Sequence, residues 1–264
     1  MKQKICAHTR CDWRSQLHWY DTIDSTNTQA KRLAKDGAPH GTVLIADSQS
    51  AGRGRMGRQF DSQKGAGIYL SVILRPQCSP EKLMHLTCSA GVAMCDAMEN
   101  ITGIRPGIKW INDLAYGTRK LGGILTELSI DTATGLTEYA VIGIGINCNR
   151  NAEDFPPELQ NIATSLSIVT DTSIDRAALS GAMIDALFAM DQVLLTGKAS
   201  IMERYRADCI TLGKDVVVHR SDEILQGTAI GLDEDGGLLV QLANGSTVTV
   251  SAGEVSVRGL YGYI

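Results

Sequence analysis

A segment rich in glycine and arginine, residues 49–58, has the most unusual chemistry in this 264-residue sequence. It reads QSAGRGRMGR, and no acidic residue interrupts it. Glycine lets backbone N–H groups approach a ligand closely, and guanidinium groups match the oxygens of carboxylates and phosphates. The segment predicts a mobile loop that binds an anion, although composition alone fits a solvated basic loop equally well. Its candidate ligand-binding residues are Gly52, Arg53, Gly54, Arg55 and Arg58.

Two common nucleotide-binding motifs do not explain this segment. The letters GRGRMG satisfy the spacing G-x-G-x-x-G, but in dinucleotide-binding folds that motif opens a helix and precedes an acidic residue by about twenty positions. Here a strand pattern follows the glycines instead. The Walker A spacing, G-x-x-x-x-G-K-[ST], does not occur in the sequence.

A second candidate is KWIND, residues 109–113. Lys109 lies near a strand end, where its ammonium group could meet a phosphate or a carboxylate. Asn112 and Asp113 have oxygens suited to a hydroxyl group or to Mg²⁺. A hairpin with solvated polar residues is the more common explanation for such a segment by itself, and Trp110 is more often a core residue than a stacking platform.

Two further segments combine glycine with strand patterns. RKLGGI, residues 119–124, offers Lys120 as a second cation, and its paired glycines Gly122 and Gly123 allow close backbone approach. GIGIN, residues 143–147, alternates glycine along a strand, which marks either a ligand or a tightly packed strand crossing. The candidates from this second segment are Gly145 and Asn147.

Hydrophobic periodicity predicts the elements that carry these residues. Strands are predicted at residues 18–21, 42–47, 67–74, 108–110, 114–116, 121–128 and 139–146. Helices are predicted at residues 25–36, 80–103, 175–194 and 201–209. Beyond Leu212 the pattern changes to short alternating strands with hairpin turns at DEDGG and Asn244-Gly245, which indicates a small β-barrel or open sheet packed on its neighbour.

Composition excludes several functional classes. With 25 basic and 29 acidic residues, no whole-molecule field favours nucleic acid or an anionic membrane. The seven cysteines are scattered without a CxxC pair, and the five histidines form no zinc or iron motif, so reduced thiols in a cytoplasmic protein are expected. No signal peptide or membrane span is predicted. A metal, if present, is expected to arrive with a nucleotide.

Taken together, the motifs resemble those of the biotin–protein ligase family. Ser25-Thr26-Asn27, QSAGRGRMGR, KWINDL, RKLGGIL and GIGIN occur in the order and rough spacing of that family, from about Leu17 onwards. Two departures are visible: Ile111 replaces the usual proline, and Met56 replaces a common arginine. Ile111 lacks the fixed φ of proline and adds an N–H group, but no charged group is lost.

The resemblance implies an α/β (α+β) fold in which a mixed-sheet catalytic domain precedes a small C-terminal β-barrel. The expected division is a polar leader at residues 1–17, a catalytic domain at 18–212 and a barrel at 213–264. The implied enzyme is a biotin-[acetyl-CoA-carboxylase] ligase. It uses ATP with Mg²⁺ to form biotinyl-5'-AMP, and then joins biotin to a lysine of a biotin carboxyl carrier protein or domain.

The resemblance also implies roles for particular residues. Those that match the biotin ring site are Ser25, Thr26, Asn27 and Gln49. Lys120 matches the carboxylate end, Lys109 and Arg55 join it as catalytic candidates, and either Asn112 or Asp113 is expected to help place Mg²⁺. The cations fit the chemistry independently, because bringing a carboxylate to a phosphate costs roughly 4 kcal/mol at 4 Å and an effective dielectric near 20. Arg53, Arg55 and Lys120 are the candidates for bridging the two anions.

Two alternatives remain open at the level of sequence. A lipoate–protein ligase of the same superfamily would prefer a linear acyl chain. A biotin-sensing repressor would need an N-terminal winged helix, and the leader of about seventeen residues is too short for one, so no DNA partner is expected. The leader is expected to be a frayed tail. No membrane partner is expected, and a homodimer is left open.

Overall fold

A computed structural model of the protein describes residues 1–220, 223–251 and 254–257. Its larger sheet has seven strands in the order β1-β2-β3-β7-β6-β5-β4. The strands are β1 Leu17–Ile23, β2 Thr42–Gln49, β3 Gly67–Leu74, β4 Gly107–Lys109, β5 Asp113–Tyr116, β6 Arg119–Ile130 and β7 Thr137–Asn147. Only β1 and β2 run parallel, and every other neighbouring pair is antiparallel, so the predicted mixed sheet is confirmed.

Helices cover both faces of this sheet. They are α1 Lys2–His8, α2 Thr26–Lys35, α3 Leu86–Thr102, α4 Leu166–Thr170, α5 Arg176–Val193 and α6 Lys198–Asp208. On one face α2 buries Ala30 and Ala34 against Leu44 and Ile73. On the other face α3 and α5 enclose the main core, which explains why β3, between these layers, is buried along its whole length.

The start of α2 shows how the sequence sets the geometry near the motifs. Ser25 is its N-cap, and its hydroxyl oxygen accepts a hydrogen bond from the Thr28 N–H at 3.4 Å. The cap therefore holds the first turn of α2, with Thr26 and Asn27, at the end of β1 and β2.

The first seventeen residues are ordered, so the expectation of a frayed tail is wrong. Ile5 of α1 and Trp13 of the following 3₁₀ turn are both buried. The Asp185 carboxylate on α5 accepts hydrogen bonds from the N–H groups of Arg10 and Cys11, each at 2.9 Å. Burial of two large apolar side chains outweighs the polar composition of the segment.

The helix predicted at residues 80–103 is interrupted. Pro80–Leu83 forms a 3₁₀ turn, and α3 begins only at Leu86. His85 is turned inwards, where its Nε2 lies 3.0 Å from the Leu194 carbonyl oxygen. This buried contact breaks the helical path between the two segments.

The C-terminal strands form an open sheet in the described residues, not the predicted barrel. They are β8 Asp215–Arg220, β9 Glu223–Leu232, β10 Leu238–Leu242, β11 Thr247–Val250 and β12 Glu254–Val257, ordered β11-β10-β9-β8-β12. Within that part of the chain β11 and β12 are the two edges and do not pair. The end of the predicted barrel domain, residues 258–264, lies outside the described residues.

The C-terminal sheet packs directly on the larger part of the protein, as its small size predicts. Val216, Ala229, Leu238 and Val240 belong to the same buried cluster as the side chains of α3. Among the described helices, none is both long and apolar enough to cross a membrane.

Candidate active site

One pocket collects residues from all the motifs singled out in the sequence. It lies between the first turn of α2, the glycine–arginine loop (residues 49–58) and the ends of β4 to β7. The sequence-predicted residues that line it are Ser25, Thr26, Asn27, Gln49, Arg53, Gly54, Arg55, Arg58, Lys109, Asn112, Asp113, Lys120, Gly123 and Gly145. Residues distant in sequence therefore converge as the motifs predict.

A buried polar network forms one end of the pocket. The Gln49 side-chain oxygen accepts from the backbone N–H of Thr26 at 2.8 Å and from its hydroxyl at 3.1 Å. The Gln49 amide nitrogen donates to the Ser62 hydroxyl at 2.8 Å. Ser71, on β3, lies 2.8 Å from the Thr26 hydroxyl and 2.6 Å from Asn27 Oδ1. Such a network presents fixed donors and acceptors to a polar ring.

Asn27 is held by partners on all sides. Because Asn27 Oδ1 can only accept, the Ser71 hydroxyl donates to it. Its Nδ2 donates to Glu127 Oε2 at 3.0 Å and to the Leu125 carbonyl at 3.3 Å. A Cβ atom at Gly143 would lie 1.9 Å from Asn27 Oδ1, so only glycine leaves room for this amide.

The glycine–arginine loop is a short hairpin and not the start of a helix. The Gly54 N–H donates to the Arg58 carbonyl at 2.7 Å, and a 3₁₀ turn spans Arg55–Gly57. Met56 and Gly57 have φ values of +54° and +76°, which reverse the chain at the tip. Just after the loop, the Phe60 ring lies over Gly145, where a Cβ atom would come within 2.6 Å of it.

The other end of the pocket carries cations. Lys120 Nζ lies 2.6 Å from Asp113 Oδ1, and Arg55 Nη1 lies 2.9 Å from Asn112 Oδ1. Lys109 and Arg58 line the same region. Cations grouped in this way can offset the repulsion between two anionic substrates.

Trp110 joins this end of the pocket to the C-terminal sheet. Its ring is buried, as expected of a core residue, and it also lines the pocket. Its Nε1–H donates to the Gly236 carbonyl at 2.8 Å, and its backbone N–H donates to the Thr211 hydroxyl at 2.9 Å. The peptide bond between Trp110 and Ile111 is cis.

The predicted Mg²⁺ ligands Asn112 and Asp113 have cationic neighbours in the pocket. The Oδ1 atom of each already faces a cation, Arg55 for Asn112 and Lys120 for Asp113. Across residues 1–220, 223–251 and 254–257, no group of three or more His, Cys, Asp or Glu side chains is placed to hold a metal ion. The use of either residue as a Mg²⁺ ligand therefore stays a prediction.

Three predicted residues lie outside the pocket lining and have packing roles. A Cβ atom at Gly52 would lie 2.3 Å from the Phe60 carbonyl oxygen, and one at Gly122 would lie 2.4 Å from the Gly145 carbonyl oxygen. The Asn147 side chain is buried and donates to the Thr164 carbonyl at 3.1 Å.

The sequence motifs did not predict every residue that lines the pocket. The lining residues without a prediction are Met56, Gln59, Phe60, Trp110, Ile124, Leu125, Gly143 and Ile144. The alternating glycines of β7 could have indicated Gly143, because Gly143 and Gly145 point to the same face of the strand. Glu127 and Ser71, which hold Asn27 from behind the pocket, could not be identified from the sequence, since each lies in a strand with no unusual pattern.

Comparison with known proteins agrees with this geometry. Residues 19–147 match the Biotin/lipoate A/B protein ligase family, and residues 211–258 match the biotin protein ligase C-terminal domain. The bifunctional ligase/repressor BirA of Bacillus spizizenii is 37% identical, with 89% of this chain and 72% of that protein aligned. The biotin-[acetyl-CoA-carboxylase] ligase of Mycobacterium tuberculosis is 32% identical, with 92% and 89% aligned.

Solved structures give the same result. The biotin protein ligase of Aquifex aeolicus, in complex with biotin and ATP, superposes with a TM-score of 0.76 and 30% identity, covering 92% of this chain and 98% of that one. The relatives, the matched domains and the shared fold all point to one group, and the chain belongs to the biotin protein ligase family.

Proposed function

We propose that this protein is an ATP-dependent biotin ligase that forms biotinyl-5'-AMP and transfers biotin to a lysine of a carrier protein. The observation that carries the proposal is the division of one pocket into two ends. The network around Thr26 and Gln49 suits the polar ring of biotin, and the cations Arg55 and Lys120 suit a carboxylate beside a phosphate.

The first reaction follows from this arrangement. A carboxylate oxygen of biotin attacks the α-phosphorus of ATP, the bond to the bridging oxygen breaks, and pyrophosphate leaves. The pocket cations offset the repulsion of the two anions and stabilise the charge that develops on the transferred group. Lys120 is oriented by Asp113, so its ammonium group is already in place before the substrates meet.

In the second reaction the amine of a carrier lysine attacks the acyl carbon, and AMP leaves. That lysine is mostly protonated beforehand, since its ordinary pKa is near 10.4, so it must lose a proton. Asp113 contributes a carboxylate to the pocket lining, and we propose it as the proton acceptor. Its contact with Lys120 competes with that role.

We infer that the carrier is the biotin carboxyl carrier domain of acetyl-CoA carboxylase, as the names of the relatives from Mycobacterium tuberculosis and Paracoccus denitrificans suggest. We place the protein in the cytoplasm, a location that its seven free cysteines support. The BirA relatives are named as repressors too, but the net charge of −4 offers no field that favours DNA, and we propose the ligase activity alone.

The test is exchange of labelled pyrophosphate into ATP, measured with biotin, with lipoate and without either acid. Exchange that depends on biotin alone is expected, because the ring end of the pocket is polar and its partners are fixed. Exchange supported by lipoate but not biotin would favour the lipoate–protein ligase alternative. If neither biotin nor lipoate supports exchange of pyrophosphate into ATP, the proposal is contradicted.

A further inference from the structure

Two ion pairs hold the chain on either side of the loop tip, and neither was indicated by the sequence motifs. Before the tip, Arg53 Nη1 lies 3.0 Å and 3.2 Å from the two carboxylate oxygens of Glu127 on β6. After the tip, Asp61 Oδ2 lies 2.7 Å from Nη2 of Arg150, just beyond β7. Since β6 and β7 are neighbours in the sheet, one anchor lies on a strand and the other lies directly after the adjacent strand.

Glu127 has three separate donors. Lys31 Nζ lies 2.7 Å from Oε1, Asn27 Nδ2 lies 3.0 Å from Oε2, and Arg53 contacts both oxygens. Burial by itself raises the pKa of Glu127, but donation from Lys31 and Asn27, with the charges of Lys31 and Arg53, makes the net shift downwards. Glu127 is therefore an ionised anchor that joins the loop to the ring end of the pocket.

Arg150 is a more deeply buried anchor, with only 2% of its side chain exposed. The same Nη2 that meets Asp61 also donates to the Asp154 carbonyl at 2.6 Å, and the guanidinium carbon lies 4.2 Å from the centroid of the Phe155 ring. A guanidinium fixed in this way cannot follow a moving partner. The position of Asp61 is therefore set by the segment that follows β7.

The Asp61 contact matters for the pocket because Asp61 directly follows Phe60. The Phe60 ring lines the pocket over Gly145 and packs edge-on against Tyr69, with centroids 6.2 Å apart. Between the two ion pairs, by contrast, the tip of the loop reverses direction in left-handed conformations, and Met56 is 69% exposed. Arg55 in the tip contacts Asn112 at 2.9 Å, so the loop combines anchored ends with a partly exposed tip that reaches across the pocket.

We propose that Glu127 and Arg150 are positioning residues that fix the two ends of the loop, so that only its tip, residues 54–58, moves when the adenylate forms or leaves. Neither side chain lines the pocket: Glu127 contacts Arg53 of the loop and also Asn27 at the ring end, and Arg150 contacts Asp61, which follows the loop. The identity of the ligand rests on the proposed function, whereas the anchoring is a property of the free protein.

The test compares Glu127→Gln, Arg150→Met and Asp61→Asn with a matched control, Asp208→Asn. Asp208 forms an ion pair with Arg105, at 2.6 Å, at the end of α6 and away from the loop. Asp61→Asn keeps the experiment decisive if Arg150→Met does not fold, since the Asp61 side chain is 35% exposed and its amide replacement can be hydrated. Thermal unfolding of every variant shows which are folded.

Hydrogen exchange of the ligand-free protein measures the anchoring, and single-turnover release of biotinyl-5'-AMP measures its consequence. In the folded anchor variants we expect the amides of residues 52–61 to exchange about tenfold faster, and the adenylate to leave about tenfold faster, the size of one lost charge-assisted contact. The Asp208→Asn protein should match the wild type in both measurements.

If the amides of residues 52–61 exchange hydrogen at the same rate in the folded anchor variants as in the wild type, the proposal is overturned. Faster exchange with wild-type adenylate release would also overturn it, because the loop ends would then be anchored without effect on the ligand. If the wild type forms no adenylate from biotin and ATP, the proposed function fails, and the exchange measurement still decides the anchoring by itself.

Discussion

Arg55 and Lys120 reach the cationic end of the pocket from opposite sides, and their supports differ. Arg55 lies at the loop tip and contacts Asn112 across the pocket, whereas Lys120 lies on β6 and is held by Asp113. A side chain on a movable tip can hold a ligand once the loop is closed. A side chain on a strand is in place before any ligand binds, so the two residues should affect different steps.

Replacing Arg55 with alanine is expected to weaken retention of the adenylate. The loss of one charge-assisted hydrogen bond costs about 1.5 to 3 kcal/mol, which corresponds to release that is roughly ten- to a hundredfold faster. Release in a single turnover is the measurement, and Arg32→Ala, an exposed arginine on α2, is the control. Retention equal to the wild type would show that Arg55 does not close over the ligand.

Replacing Lys120 with alanine is expected to raise the biotin concentration needed and to slow adenylation itself. The ammonium group meets the carboxylate of biotin in the ground state and the transferred phosphoryl group later, so both binding and rate should fall by about tenfold or more. The comparison is Arg119→Ala, its exposed neighbour on the same strand. Wild-type kinetics in the Lys120 variant would mean that this lysine is only a hairpin residue.

Replacing Gly143 with alanine is expected to damage the ring end of the pocket. The added Cβ would lie 1.9 Å from Asn27 Oδ1, so the amide must move away from Ser71 and Glu127. Loss of such buried hydrogen bonds should weaken biotin binding by about tenfold or more. Equilibrium dialysis with biotin measures this, and Gly231→Ala, where the nearest atom would be 3.6 Å away, should bind normally. Equal affinities would exclude Asn27 from the ring site.

At the scale of elements, local pattern predicts strands well where burial is simple. The predicted strand at residues 67–74 has the same bounds as β3, because a continuous apolar run fits a strand covered on both faces. Partners across the sheet are harder, since Arg53 and Glu127 are 74 positions apart and only the folded topology brings them together. The role of Ser71 could not be predicted for a similar reason, because the partners of one hydroxyl within an apolar strand are set by the folded topology.

The loop motif illustrates the difference between predicting a site and predicting its geometry. Spacing and composition indicated an anion-binding loop, and the structure places its arginines at the pocket. Which arginine faces which partner depends on left-handed turns at Met56 and Gly57, and nothing in the periodicity of the sequence specifies that reversal.

Binding of biotin and ATP is expected to order the loop tip. Met56 and Gly57 at the tip are exposed and have left-handed backbone conformations, so ligand contacts should favour one closed arrangement over several open ones. Hydrogen exchange at residues 54–58 should slow after addition of both ligands, while exchange in α3, which is buried, serves as the internal reference. Unchanged exchange across the loop would rule out ligand-dependent ordering.

At the scale of the whole molecule, the two sheets share one hydrophobic core. The sequence predicts a second module after Leu212, because the pattern there changes to short alternating strands. Whether such strands close into a barrel depends on pairing between distant edges, which local pattern does not contain. The junction is equally non-local: the DEDGG turn between β9 and β10 reaches the catalytic domain through Gly236, whose carbonyl meets Trp110.

This junction gives the C-terminal sheet a route to the pocket, because Trp110 both lines the pocket and donates to the Gly236 carbonyl. Gly236 has a φ of +90°, and a Cβ atom there would lie 2.6 Å from the Cys88 sulfur on α3. Gly236→Ala should therefore push the turn away from α3 and weaken the hold on Trp110. Crowding of this kind typically costs about 1 to 3 kcal/mol, in addition to about 1 to 2 kcal/mol for the left-handed backbone.

The control for this substitution is Gly245→Ala in the turn between β10 and β11, where φ is +83° but no atom lies within 4 Å of the added Cβ. Both variants carry the backbone cost, and only the first disturbs the contact with the catalytic domain. Adenylation of biotin should therefore be slower in Gly236→Ala and normal in Gly245→Ala, although thermal unfolding shifts downwards in both. If the two folded proteins adenylate biotin at the same rate, Trp110 does not depend on the C-terminal sheet for its position in the pocket.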